Sequence, residues 1–131
     1  MLNDLTPNKQ QVVFGEDSIV IQKFISGIKG GRTLDVTGFA ENVIKAGHVI
    51  IVKEDGNYAP MPVSGDAYAA LPSGAAYAGI LYRSIPTAKP AASIMFNGEV
   101  NVEAVPYPMD AILTAFKAAC PLIVFIKDEE A

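Results

Sequence analysis

Two side chains, His48 and Cys120, are the natural starting points for chemistry near neutral pH, and each residue type occurs once in the 131 residues. An imidazole titrates in the physiological range, and a thiolate is a strong nucleophile. A lone histidine, however, cannot build a His-based metal cluster or a paired acid–base system within one chain. His48 opens a β-branched run, His48–Lys53, and reads as an ordinary strand-edge residue. Cys120 closes a helical pattern, where the helix dipole disfavours a thiolate, and it precedes Pro121. Reactive cysteines occupy the other helix end or sit beside a cation, so Cys120 is expected to be a buried structural thiol. A single cysteine also excludes an internal disulfide and fits a reducing compartment.

The remaining polar groupings fall short of known chemistries. Glu16-Asp17 and Asp128–Glu130 are close carboxylates, but no apolar surround separates their proton affinities as acid–base catalysis requires. Gly27-Ile-Lys-Gly-Gly-Arg32 is rich in glycine, yet a phosphate loop ends in Gly-Lys-Ser/Thr at a helix start, and Arg32-Thr33 leads into a strand. Asp55-Gly56-Asn57 lacks the further oxygen ligands and terminal glutamate of a calcium loop. Tyr58, Tyr68, Tyr77, Tyr82 and Tyr107 would suit a sugar platform, but with no tryptophan and no polar cluster beside them they read as core or interface packing. No catalytic, cofactor-binding or metal-binding set emerges, so the chain is expected not to be an enzyme and to need no cofactor.

Composition points the same way. Half of the residues are apolar and 18 % are charged, far from the disordered regime, and this apolar excess suggests surface covered by a partner, with a well-filled small core as the alternative. The net charge is −4 and the ten Lys and Arg are scattered, which leaves no footprint for nucleic acid. The longest apolar runs, such as Leu122–Ile126, fall far short of the ~20 residues of a membrane span. Met1-Leu-Asn-Asp has no cationic start followed by an apolar segment, so no export signal is expected.

The elements that must position these residues are mostly short strands. Met1–Gln11 is polar, contains Pro7, and reads as a flexible N-terminal arm ahead of a single β-rich domain over residues 12–131. Val12–Phe14, Ser18–Ile25, Thr33–Thr37 and His48–Lys53 read as strands. Asp55-Gly56 bends the last of these into a hairpin with Tyr58–Val63, whose Pro60 and Pro62 require an edge position. Ser64–Ala76 and Ser84–Ala92 read as loops. Asn97-Gly98 between two apolar runs predicts a type I′ hairpin turn. A helix is predicted over Pro108–Ala119, with proline at its first position and Met109, Ile112, Leu113 and Phe116 on one face. Pro121 stops it, and Leu122–Ile126 forms a final strand. The expected fold is mainly β (α+β), a small barrel- or sandwich-like domain with one short helix near the C-terminus.

The C-terminal order carries a resemblance. The Gly79-Ile80-Leu81 strand is followed by a glycine-turn hairpin ending in an acidic residue. Then come Tyr107-Pro108, a helix containing Thr114-Ala115-Phe116, and an apolar strand. This resembles the capsid decoration proteins of tailed phages, the head-stabilising proteins of lambdoid type and the related head-fibre base domains. The likeness runs roughly from Thr33 to Ile126. Gln11–Phe24 has no counterpart, and Met1–Gln11 corresponds only in position to the family's N-terminal arm.

The resemblance implies a structural virion protein, made in the bacterial cytoplasm and bound as a homotrimer to the outside of a phage head. There it clamps neighbouring subunits of the major capsid protein, with no cofactor, nucleic acid or membrane involved. Leu2, Leu5 and Pro7 become the candidate docking residues of the arm, and Tyr82 and Tyr107 the candidate oligomer contacts, on surfaces expected to lack a partner within the monomer. Two other readings stay open: a carbohydrate- or surface-binding β module, and a small enzyme with a site composed across an oligomer interface.

Overall fold

The computed structural model describes residues 17–28 and 30–126. One helical turn, α1 (Asp17–Val20), leads directly into β1 (Ile21–Gly27), and β2 (Arg32–Thr33) follows. β3 (Val43–Ile44) precedes the hairpin of β4 (Val49–Val52) and β5 (Tyr58–Pro60), then a smaller one of β6 (Val63–Ser64) and β7 (Ala67–Tyr68). β8 (Ala76–Leu81), β9 (Ile85–Pro86), β10 (Ala91–Ala92) and the long β11 (Ile94–Asn101) come next. α2 (Leu113–Ala119) and β12 (Ile123–Ile126) complete the described chain. With 41 % strand and 8 % helix the fold is mainly β and sandwich-like, with one short helix near the C-terminus, in agreement with the sequence reading.

Among the described residues, six strands form the principal sheet in the order β1-β11-β8-β4-β5, with β12 added on β11. β11 is the hub. β1 runs antiparallel along one flank, from Ile21↔Val100 to Gly27↔Met95, with three register shifts. The other flank is divided: β8 pairs antiparallel with Ile94 and Met95, and β12 pairs parallel with Gly98–Asn101. Three two-stranded ribbons, β2/β10, β3/β9 and β6/β7, complete the pairing.

The uninterrupted apolar run of β4 reflects burial on both faces of this sheet. Successive strand side chains point to opposite sides, so a run without alternation needs cover above and below. Val49 and Ile51 enter a cluster with Met61, Ile80, Met95 and Phe116, while Ile50 between them joins Leu34, Ile44, Leu81 and Ile94 in a second. Ile80 and Leu81 on β8 divide in the same way, as do Met95 and Ile94 on β11. α2 supplies Phe116 to the first cluster, and β3, β9 and β10 supply Ile44, Ile85 and Ala92 to the second. This double cover absorbs much of the apolar excess that, on composition alone, asks for a partner.

Local signals succeed where the turn decides the geometry. Gly56 bends the β4/β5 hairpin at φ +90°, where a residue with a Cβ is strained. The Lys53 N–H donates to the Asn57 carbonyl at 2.8 Å, and the Gly56 N–H to the Lys53 carbonyl at 2.8 Å. β5 lies at the sheet edge, as Pro60 and Pro62 require.

Elsewhere tertiary pairing overrides the local signal. Asn97-Gly98 is not a turn but the middle of β11, paired with β1 on one side and with β12 on the other. A Cβ on Gly98 would land on the Lys23 carbonyl oxygen and the Met95 sulfur, so this glycine serves close strand approach. The helix is shorter than predicted: α2 begins at Leu113, and Pro108 stands outside it. Met109 and Phe116 are nevertheless buried, so the predicted face is kept. The predicted Thr33–Thr37 strand reduces to β2, because Asp35 captures the Thr37 N–H at 3.1 Å in a local turn. Ser18–Ile25 begins in α1 rather than as strand. The expected loops Ser64–Ala76 and Ser84–Ala92 contain β7, β9 and β10.

Candidate functional site

His48 sits between the Ala46-Gly47 turn and the first residue of β4. Backbone bonds fix it there: its N–H donates to the Lys45 carbonyl at 3.1 Å, and its carbonyl accepts from the Leu81 N–H at 2.9 Å. Although it borders a strand as expected, it is fully buried rather than an ordinary edge residue. Its ring Nε2 lies 2.9 Å from the Met61 carbonyl oxygen. A carbonyl only accepts, so Nε2 carries the proton, and Nδ1 of the neutral ring presents a lone pair. Nδ1 is buried with no protein partner.

The rings of Phe39, Tyr68 and Tyr107 surround the imidazole at centroid distances of 5.5, 5.2 and 5.6 Å, all close to edge-on. Burial among them pushes the His48 pKa down to about 4, against the smaller opposing effect of the Met61 carbonyl. The Tyr68 hydroxyl accepts the Val49 N–H at 3.0 Å, and burial holds its phenol well above the usual range. Burial, with a lesser effect of Glu41, also raises Tyr107.

Two adjoining concavities flank this box and share Phe39, Glu41 and Tyr107 as walls. The larger, of about 280 Å³, includes Asp35 and Lys53, which form an ion pair. Hydrogen bonds to Asp35 from Lys53 first, then from the Thr37 side chain (2.7 Å) and backbone, hold this carboxylate well below its ordinary value. Asp35 is thereby a fixed anion with no proton to give. The smaller, of about 160 Å³, is lined by Val43, Lys45, His48 and Pro106 besides the shared walls. Among the described residues no group of three or more His, Cys, Asp or Glu gathers to hold a metal. Cys120 is buried at the end of α2, where burial raises its pKa, as expected of a structural thiol.

A second region is defined by exposure. Among the described residues, six large apolar side chains face solvent: Ile19, Phe24, Ile25, Phe96, Leu122 and Val124. All lie on neighbouring elements, namely α1–β1, β11 and the Leu122–β12 segment. Ile25, Leu122 and Val124 are each 53 % exposed, more than the sheet centre tolerates. The outer edge of β1 carries no strand among the described residues.

Of the residues singled out from sequence, Leu2, Leu5 and Pro7, with the arm 1–11, lie outside the described residues. Tyr82 is half-buried against the first core cluster, its ring centroid 4.5 Å from that of Phe24 and 5.3 Å from the Arg83 guanidinium. Tyr107 belongs to the aromatic box. Both rings thus have neighbours within the chain, contrary to the expectation of bare surfaces, and the structure does not bring them together. Sequence reasoning missed Phe39 and Glu41, which stand in a loop without periodicity. It also missed Phe24, Ile25 and Val124, although consecutive apolar residues in the outer strands of a sheet signal that one must face out. No helix among the described residues is long and apolar enough to cross a membrane. Compared with known proteins, the chain matches no family model, no curated protein and no solved structure.

Proposed function

We propose that the chain is a structural capsid decoration protein, acting as a homotrimer on the outside of a phage head and clamping neighbouring major capsid subunits without catalysis or cofactor. The carrying observation is the exposure, among the described residues, of six large apolar side chains on α1–β1, β11 and the Leu122–β12 segment, beside a core otherwise covered on both faces. A clamp needs a rigid body and an adhesive side, and apolar surface of this kind marks a protein contact more often than a solvated face. Of the order that carries the resemblance to tailed-phage decoration proteins, the strand through Gly79–Leu81, the helix through Thr114–Phe116 and the final apolar strand support the same reading, whereas the glycine-turn hairpin is a single strand, β11. An N-terminal segment such as 1–11 can add to a shell by strand pairing, and three weak attachments act together in a trimer.

Light scattering on the full chain should give three times the monomer mass, and the trimer should co-sediment with expanded heads. Deleting residues 1–11 should abolish head binding and leave the trimer intact. A monomer that ignores expanded heads would overturn the proposal. The second reading, a carbohydrate- or surface-binding β module, draws on the aromatic walls of the 280 Å³ concavity. It expects a monomer that binds glycans.

A further inference from the structure

Folding brings a polar cluster beside a tyrosine, which neighbours in the sequence do not. Asp35 and Thr37 follow β2, Lys53 follows β4, and all three line the larger concavity together with Phe39 and Tyr107. The cluster is fixed in advance. The Thr37 N–H and hydroxyl donate to Asp35 Oδ1 at 3.1 and 2.7 Å, and the Lys53 ammonium donates to Oδ2. Hydrogen-bonding capacity is left over, because an ammonium has three donors and each carboxylate oxygen accepts about two bonds. Among the described residues Lys53 spends one donor and Oδ2 one acceptor position, while the Thr37 oxygen keeps its lone pairs. These groups are also reachable: the Lys53 and Asp35 side chains keep 33 % and 30 % of their surface accessible, and Thr37 is exposed.

Spare donors beside spare acceptors match a vicinal diol, in which each hydroxyl gives and receives. A simple ion fits less well, since Lys53 and Asp35 offset each other's charge. Glu41 on the same wall adds a further negative charge and disfavours a carboxylated ligand. The negative faces of Phe39 and Tyr107 attract the weakly positive C–H hydrogens of a sugar ring. At about 280 Å³, near the lower end of the roughly 300–1,000 Å³ of small-molecule sites, the concavity has room for one sugar unit.

We propose that this concavity binds one neutral pyranose unit, a vicinal diol of which bonds to Asp35, Thr37 and Lys53 while its C–H face packs on Phe39 and Tyr107. The proposal gives a place and a ligand class to the carbohydrate-binding reading, on which it rests, and it holds for a monomer or an assembly alike.

The test follows the backbone amide resonances of the ¹⁵N-labelled full chain near neutral pH during titration with the methyl glycosides of glucose, galactose and mannose, and with methyl glucuronide. At least one neutral glycoside should shift the amides of Asp35, Thr37 and Lys53 saturably. Thr37→Val should weaken that glycoside about three- to tenfold, and Lys53→Met, which removes a charged donor, about tenfold or more. If none of the three neutral glycosides gives a saturable shift, the proposal is overturned, and capture of longer glycans on an array then decides the broader reading separately. If a glycoside binds but its shifts lie away from this concavity, or neither folded variant weakens it, the proposed site is wrong and the broader reading stands. Methyl glucuronide binding as tightly as the glucoside overturns the choice of a neutral sugar. Should a variant not fold, the other variant and the position of the shifts in the unmodified chain decide.

Discussion

His48 couples the fold to acidity through its burial. The unfolded side chain titrates near 6.5 and the folded one near 4, so between these values the unfolded state holds the extra proton. The contribution is therefore complete above pH 6.5, declines as pH falls, and is gone near pH 4, a loss of about 3 kcal/mol. Urea unfolding between pH 7.5 and 4 should show this slope, and His48→Gln should remove it. Asp35 acts in a lower window: its depressed carboxyl stabilises above its ordinary 3.8 and loses that effect only under stronger acid. Cys120, buried and pushed up in pKa, should react with a thiol reagent only at the rate of unfolding, measurable by absorbance with and without denaturant. The place of His48 at the head of a strand was legible from its β-branched sequel. Its burial was not, because Phe39, Tyr68 and Tyr107 reach it from separate segments of the chain.

Among the elements, β11 shows how long-range pairing defeats a strong local signal. Asn97-Gly98 has the chemistry of a hairpin turn, yet β1 and β12 hold it extended from both flanks. Gly98→Ala should destabilise the fold by about 1–3 kcal/mol, because its methyl meets backbone that cannot swing away, and the urea midpoint should fall accordingly. The β4/β5 hairpin was legible for the opposite reason: Asp55-Gly56 acts within four residues, and the prolines declare the edge locally. The start of α2 was not legible, since Pro108 fits a first helical turn but the chain over Asp110–Ile112 is a turn instead. The short ribbons β2/β10 and β3/β9 join residues far apart in the chain, and no local pattern announces them.

For the whole molecule, the difference between a doubly covered sheet and the exposed apolar residues of its outer strands separates stability from association. Replacing Ile25 and Val124 together by lysine should shift the protein to monomers in sedimentation while changing folding stability by no more than about 0.5 kcal/mol per site. The mainly β architecture and the core face of α2 were readable from composition and spacing. The exposed apolar residues of the outer strands were not, since period-two patterns mark which residues alternate but not which strand ends a sheet. The hub position of β11 also has a temporal meaning. Its neighbours come from opposite extremes of the described chain, β1 near the beginning and β12 at the end. A polypeptide emerging from the ribosome thus keeps β1 idle until β11 arrives, and closes the second flank only once Ile126 has cleared the exit tunnel. Resistance to proteolysis during translation should accordingly arise in one step, once β12 is free to pair with β11.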